Sequence, residues 1–427
     1  MNKIEKLLLV HGSDIIFVGI DVAKKNHYAR IINHIGLEPV KPFKFNNSKD
    51  GYFRIVSKIL EAKEKTKAER VIIGLEPSGH YWKPLTWFLK QQGYRVVLVN
   101  PFHVKKRKEE EDNSPTKNDR KDALIIAKLV KEGKFLNCLL PEGIYADLRN
   151  LSVARKQLIS KLNSAKNKLV SIIDEYFPEF EEVFKNLLGK AALWVLRHCP
   201  FPSMILNYTK EELAENLKRA ANKRVGIKRA EKLIEAAQKS VGVKEGLKGA
   251  YIRLHSYLDE IEFLKGQLET IEKTMEELLK KIDIAEYLLS IPGIGVITVA
   301  GFLADVGDLA NYTHFKQIQK LAGLNIAENQ SGKHKGKAKI SKRGRPELRN
   351  LLYKASLTLV AKNKEFKALY NYFLKRPKNP LKAKQALIAI SVKLVRVMFA
   401  LAKKRENYDP QKVLGEYRIM QINQLAA

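Results

Sequence analysis

Ile15-Ile16-Phe17-Val18-Gly19-Ile20-Asp21 is an unbroken apolar run that ends on a carboxylate. Its length, its β-branched content and the lack of any polar interruption predict a strand buried on both faces. Val71-Ile72-Ile73-Gly74-Leu75-Glu76 repeats the arrangement, again with an acid at its last position. A further pair of acids, Asp119 and Asp122, opens the amphipathic segment Ala123-Leu124-Ile125-Ile126-Ala127. Their i, i+3 spacing puts both on one face of the helix predicted there.

Around these runs, residues 14–136 alternate strand and helix signals. Strands are predicted at 14–23, 27–34, 41–46, 70–76 and 94–100, and helices at about 48–65, 80–92 and 118–132. Gly79, Gly93 and Asn100-Pro101 punctuate them. Strands followed by helices in this order predict a mixed α/β sheet. Carboxylates on the ends of two strands, facing a helix-borne pair, are how an RNase H-like (RuvC-like) fold holds two Mg²⁺ ions. Such ions, about 4 Å apart, stabilise the attacking and leaving oxygens of phosphodiester chemistry. Mn²⁺ accepts the same oxygen ligands. Any one of the four acids alone is equally well a helix cap, Asp119 in particular. Together, each ending or opening an apolar element, they point to a nuclease or recombinase. Lys105-Lys106-Arg107-Lys108 followed by Glu109-Glu110-Glu111-Asp112 reads as a solvated, mobile loop, because the sign reversal suits no helix core.

The charge supports that direction. Lys and Arg number 78 against 46 Asp and Glu, leaving +32 over 427 residues. No neutral small-molecule substrate accounts for such an excess; nucleic acid does. Cys138 and Cys199 form neither a metal-ligand spacing nor a disulfide framework, which fits a reducing cytoplasm. The opening residues carry too short an apolar run for a signal peptide. The apolar stretch from Ala386 to Ala402 is broken by Lys393 and Arg396, so a water-soluble helix is expected rather than a membrane span. His27, His34, His80, His103 and His334 are scattered without ligand spacing, and Tyr81 and Trp82 are expected in the core.

From about 145 to 284 the pattern turns helical. Leu151, Leu158, Ala165 and Ile172 recur every seven residues, with Leu148, Leu162 and Leu169 on the neighbouring seam. Leu254, Ile261, Leu268, Met275 and Ile282 form a second heptad series, accompanied by Tyr257, Leu264, Ile271 and Leu278. These predict a coiled coil or a long helical hairpin, serving either as an intramolecular pair or as an oligomerisation arm. Thr209-Lys210-Glu211-Glu212 is a capping box, and Pro178, Pro200 and Pro202 interrupt the region. The chain thus divides into an α/β domain (1–140), a helical coiled-coil region (141–284), a mainly α C-terminal domain (285–405) and a tail (406–427).

In the C-terminal domain, Pro292-Gly293-Ile294-Gly295 between two helical patterns reads as a helix-hairpin-helix. There Gly293 and Gly295 would let backbone N–H groups meet a DNA phosphate. Beyond it lies a basic segment, Ser331 to Arg349, with Lys333, Lys335, Lys337, Lys339, Lys342, Arg343, Arg345 and Arg349 as candidate nucleic-acid contacts. Pro346 suits the first position of the helix that follows. Either serine, Ser331 or Ser341, could attack a phosphodiester while the cations around it offset developing charge. Chemistry alone leaves both open.

These motifs resemble a known family. Gly19-Ile20-Asp21-Val22-Ala23-Lys24, Glu76-Pro77-Ser78-Gly79-His80-Tyr81-Trp82 and Lys117-Asn118-Asp119-Arg120-Lys121-Asp122-Ala123 look like the N-terminal signatures of the DEDD insertion-sequence transposases, relatives of the Piv DNA invertases. Ser290 to Gly295, Gly323-Leu324-Asn325, Ser331-Gly332 and Ile340-Ser341-Lys342-Arg343-Gly344 look like the same family's C-terminal domain. The resemblance spans nearly the whole chain. It implies a prokaryotic, nucleoid-associated, site-specific recombinase. Asp21, Glu76, Asp119 and Asp122 would hold Mg²⁺, and Ser331 would be the nucleophile that links covalently to DNA. It further implies double-stranded DNA and a structured guide RNA as partners. A homo-oligomer, dimer or tetramer, is implied too, in which one protomer's acidic domain completes another's serine site. Arg345 and Ile326 depart from residues frequent in the family, Asn and Pro, and bear on nucleic-acid contacts rather than chemistry. Residues 1–12 have no assigned role. The competing readings are a junction endonuclease that uses water as nucleophile, and a catalytically silent nucleic-acid scaffold.

Overall fold

The computed structural model describes residues 3–77, 79–111, 119–138, 140–222, 226–327, 330–331, 334–336 and 339–426. The chain forms two units, residues 1–140 and 141–427. In the first, helix α1 (Lys3–Val10) precedes β1 (Ile15–Asp21), β2 (Asn26–Asn33), β3 (Phe43–Asn46), α2 (Lys49–Thr66), β4 (Arg70–Leu75), α3 (Trp82–Gln91), β5 (Arg95–Leu98), α4 (Pro101–Glu111), α5 (Asp119–Lys131) and β6 (Leu136–Asn137). The six strands form one mixed sheet in the order β3-β2-β1-β4-β5-β6. β2 runs antiparallel to both of its neighbours, β1 and β3; β1, β4 and β5 are parallel, and β6 returns antiparallel.

The sheet is covered on both sides, which is why β1 is apolar throughout. Ile16, Val18 and Ile20 face a core shared with Ile55 and Ile59 of α2 and with Leu85 and Leu89 of α3. Ile15 and Phe17 alternate to the other side and pack against Ile126, Ala127 and Val130 of α5. Residues 1–12, unassigned from sequence, contribute α1. Arg70 fastens its end by donating to the Leu9 and His11 carbonyls at 3.1 and 2.6 Å and pairing with Asp14.

One expectation is overturned. The Lys105–Glu111 stretch is part of helix α4 and not a loop. The reversal of sign falls at helical spacing, with Lys105–Glu109 at 3.9 Å, Lys106–Glu110 at 3.8 Å and Arg107–Glu110 at 3.6 Å. Such pairs stabilise a helix that has no apolar face. Asn100 caps it, its side chain accepting from Phe102 N at 2.9 Å, and Pro101 supplies a first position that needs no N–H donor. Tyr81 and Trp82 are half-buried; Trp82 packs against the core that α2 and α3 share with the sheet and donates to the Gly79 carbonyl at 3.2 Å.

The second unit is helical apart from short strands. Its elements run α6 (Ile144–Tyr176), α7 (Phe180–Val183), α8 (Lys190–His198), α9 (Pro202–Ile205), α10 (Lys210–Ala220), α11 (Ile227–Gln238), α12 (Leu247–Leu279), α13 (Ala285–Leu289), α14 (Val296–Val306) and α15 (Phe315–Leu321). Strands β7 (Ile326–Ala327), β8 (Gln330–Ser331), β9 (His334–Lys335) and β10 (Lys339–Ile340) follow. Helices α16 (Pro346–Lys362), α17 (Lys364–Lys375), α18 (Ala383–Lys404), α19 (Pro410–Leu414) and α20 (Glu416–Ala426) complete it.

The heptads pair α6 with α12 inside the chain. The helices are antiparallel, with Arg155 meeting Glu272 at 2.7 Å and Arg253 meeting Glu175 at 3.9 Å. Leu162, Leu169 and Ile172 share one core with Leu254, Ile261 and Leu264. The other ends, Leu148 on α6 and Met275 and Leu279 on α12, enter a second core built from α13 to α18. The capping box forms as predicted, with Thr209 accepting from Glu212 N at 3.2 Å. Helix α18 is long and apolar enough to cross a membrane by length and composition, and 56% of its most apolar stretch is buried inside the unit. Its Ser391 hydroxyl shares a buried hydrogen bond of 2.9 Å with Ser356 of α16.

Candidate catalytic and nucleic-acid sites

Two glycines set the acidic site. Gly19 of β1 and Gly74 of β4 are direct partners in the parallel register. A Cβ on Gly19 would lie 2.0 Å from the Ala123 carbonyl oxygen and 2.4 Å from Ala127 N; one on Gly74 would lie 2.3 Å from a Val130 methyl. Only bare backbone lets α5 settle this low on the sheet. The register continues through Ile20 and Leu75, so Asp21, closing β1, and Glu76, just after β4, emerge at one level. Asp122 precedes Ala123, on the turn of α5 that lies over Gly19. Asp119 opens the same helix; its side chain is outside the described residues.

Asp21 and Glu76 are half-buried. The Asp122 side chain is 18% exposed, and one of its oxygens accepts from the Lys108 ammonium of α4. Its other oxygen, Oδ1, is buried and has no hydrogen-bond partner among the described residues. His27, which sequence reasoning passed over, supports this end of the sheet. It is fully buried between Phe45 and Tyr52, and its Nδ1 accepts from Ala23 N at 3.2 Å, holding the turn that follows Asp21. Burial lowers its pKa, favouring the neutral ring that such an acceptor requires. His80 is exposed.

No group of three or more His, Cys, Asp or Glu placed to hold a metal ion occurs among the described residues, a set that omits the Asp119 side chain. The donor chemistry nonetheless fits a hard divalent cation. All four candidates are carboxylates, as Mg²⁺ and Mn²⁺ prefer. The orphaned oxygen of Asp122 is an acceptor whose desolvation a bound cation would offset.

In the second unit the two C-terminal signatures meet. Ser341 N donates to the Asn325 carbonyl at 2.7 Å, and Lys342 N donates to that of Gly323 at 3.0 Å. Between them the described residues form two separate strand pairs. Lys339 and Ile340 of β10 pair with Ala327 and Ile326 of β7, and β8 pairs with β9 so that Ser331 lies across from His334. Lys333 and Lys337 lie outside the described residues, as do the side chains of Ser331 and Lys335. The Ser341 hydroxyl donates to the Gly323 carbonyl and accepts from Arg343 N, both at 3.4 Å, so it braces this junction. Lys339, Lys342 and Arg343 are exposed, as phosphate contacts must be.

Arg345 and Arg349 are tied into the fold. Arg349 donates to the Ala322 carbonyl at 3.0 Å. Arg345 caps α16, with Pro346 at its first position, and donates to the Asp305 carbonyl. The Asp305 carboxylate, 5% exposed, pairs with Arg149 of α6. Both arginines therefore anchor the basic segment from within, a role that charge counting could not distinguish from phosphate contact. In the proposed helix-hairpin-helix, Ile291 and Ile294 are buried and Gly293 backs onto Lys362 and Leu359 of α16. Gly295 is open and caps α14.

Residues 18–178 match the domain family DEDD_Tnp_IS110, described as "Transposase", and residues 285–371 match the "Transposase IS116/IS110/IS902 family". The two matches together take in more than half of the chain. The chain belongs to the IS110/IS116 family of transposases. It is 26% identical to an uncharacterized protein of insertion element IS116 from Streptomyces clavuligerus, over 93% of this chain and 97% of that protein. It is 21% identical to the pilin gene-inverting protein of Moraxella lacunata, over 92% and 97% of the two. Against the transposase for insertion sequence element IS1111A of Coxiella burnetii the identity is 24%, over 74% and 73%. In this transposase the first match contains all four acids, and the second contains Gly293, Gly295, Ser331 and the basic segment to Arg349. Its work is therefore DNA processing, in transposition and DNA recombination.

Proposed function

We propose that the chain mobilises its own insertion sequence by serine-mediated strand exchange in an RNase H-like (RuvC-like) scaffold. The observation that carries this reading is the Gly19–Gly74 pair, which brings Asp21 and Glu76 to one level of a mixed sheet and seats α5 above them. Three antiparallel strands passing into parallel crossover strands, with acids on the ends of the first and fourth, support the RNase H-like assignment.

In this reading Asp21, Glu76, Asp119 and Asp122 hold Mg²⁺ or Mn²⁺, and the metal supplies Lewis-acid stabilisation of charge on phosphate oxygens when bound. Ser331 attacks phosphorus. Its Oγ–P bond replaces the bond to one sugar oxygen, so one DNA end stays on the protein and the other leaves as a hydroxyl. Ser341 is less suited, because its hydroxyl already braces the Gly323 junction. Lys339, Lys342 and Arg343 neutralise backbone phosphates, and Gly295 offers an open helix start to another. The net charge of +32 suits two polyanions, double-stranded element DNA and a structured guide RNA from the element itself. A homo-oligomer lets the acidic domain of one protomer complete the serine site of another.

The test is a covalent trap. Protein made in cells carrying the complete element is incubated with labelled junction DNA and Mg²⁺, then run on a denaturing gel beside Ser331→Ala and Ser341→Ala. A protein–DNA adduct that is lost in Ser331→Ala and kept in Ser341→Ala is the expected result. Cleaved DNA with no adduct would establish water as the nucleophile and overturn the serine assignment.

A further inference from the structure

Lys108 answers to nothing in the serine-recombinase scheme, yet it sits on one of its acids. Its ammonium pairs with Asp122 Oδ2, while Oδ1 of the same carboxylate is buried with no partner among the described residues. The pairing is held from both sides. Val104, one turn earlier on α4, is 2% exposed in the core against α5, and the adjacent Arg107 is bonded to Glu132 at 2.8 Å. On the same helix the exposed Lys105 and Lys106 pair with Glu109 and Glu110, so Lys108 is the lysine of α4 that meets the acidic site.

From this geometry we infer that Lys108 is a phosphate-contacting residue of the acidic site, parked on Asp122 until a divalent cation takes that carboxylate. The inference rests on the metal-holding role assigned above to Asp122. An ammonium and a divalent cation drawn to one carboxylate repel each other, so the metal weakens the ammonium's hold on it. Binding of the metal therefore displaces the ammonium, and α4, anchored through Val104 and Arg107, keeps it close by. The released donors need an anion. A DNA phosphate drawn to the metal supplies one, so metal and DNA each favour the other's binding, and the coupling is reciprocal.

The coupling of metal and DNA needs no turnover, so binding tests it. Mn²⁺ affinity is measured by electron paramagnetic resonance on full-length, metal-stripped wild type, Lys108→Met, Lys108→Arg and Asp122→Asn. Affinity for a labelled junction duplex is then measured with and without Mn²⁺. Lys108→Met should bind Mn²⁺ about fivefold tighter in the absence of DNA, as expected for removal of a partly exposed competing ion pair. It should also lose most of the gain in DNA affinity that Mn²⁺ gives the wild type, and Lys108→Arg should keep that gain. Unchanged or weaker Mn²⁺ binding by a folded Lys108→Met, judged by its melting curve, overturns the inference. If Asp122→Asn binds Mn²⁺ as tightly as wild type, the metal role of Asp122 fails instead, and the role of Lys108 falls with it.

Discussion

Gly19 and Gly74 face each other across the parallel β1–β4 pair, and α5 rests on the space that two missing Cβ atoms leave. Sequence places an acid two residues beyond each of them. The glycines therefore determine the height of the helix, and the acids are arranged around the result. At Gly19 the close approach cannot be relaxed locally, because the nearest obstructing atoms belong to the α5 backbone.

Gly19→Ala should accordingly destabilise the α/β unit by about 1–3 kcal/mol, the usual cost of forcing a methyl into a packed contact. Recombination should fall further than the lost stability explains, since α5 carries Asp122 away from Asp21 as it lifts. Urea denaturation followed by the α/β unit's signal, set beside a strand-exchange assay at a temperature where the variant is folded, separates the two effects.

The heptad seam makes a different prediction. Ile261 is 2% exposed and lies in the core that α12 shares with α6 and α8 of the same chain. Ile261→Ala should cost about 2–4 kcal/mol of stability, as deletion of a buried branched side chain does. Sedimentation should show the oligomeric state of the folded variant unchanged, because this seam is already used within the protomer.

Lys393 of α18 sets a pH dependence. Burial, with Arg396 and Arg418 nearby, lowers its pKa to about 8 from an ordinary 10.5. The unfolded chain therefore binds more protons between pH 8 and 10.5, and wild-type stability rises with pH across that window. The penalty is fully present below pH 8. Lys393→Met should be more stable than wild type there, on the order of 1–3 kcal/mol. The gap should close toward pH 10.5. Paired denaturation curves at several pH values read this difference directly.

Much of this architecture was legible before any coordinates. Strands β1 and β4 announce themselves because burial on both faces demands unbroken apolar runs, and the four acids stand where those runs stop. The α6–α12 pair is visible as heptads, but period alone cannot say whether the partner helix belongs to the same chain; the Arg155–Glu272 and Arg253–Glu175 contacts decide that. Helix α4 is not legible in this way, because its stability comes from ion pairs and a cap, signals that are weak beside an apolar stripe. Lys108 was hidden with it. Arg345 and Lys342 look alike in sequence, both cations in one basic segment. Only tertiary packing turns the first inward to the Asp305 carbonyl and leaves the second exposed. The segment β7–β10 is rich in Gly and Lys, and no alternation of apolar residues marks it as strand.

Helices α6 and α12 each enter two separate cores, one with α7 to α11 and one with α13 to α18. Midway between, Leu158, Leu268 and Ile271 are only half-buried. The second unit is thus built on two cores joined by a helical splint. Amide hydrogen exchange should distinguish them, with each core opening at its own free energy and the splint's middle turns exchanging ahead of its ends. Loosening one core need not melt the other, so a change in the part that carries the basic segment can be absorbed there while its neighbour stays folded.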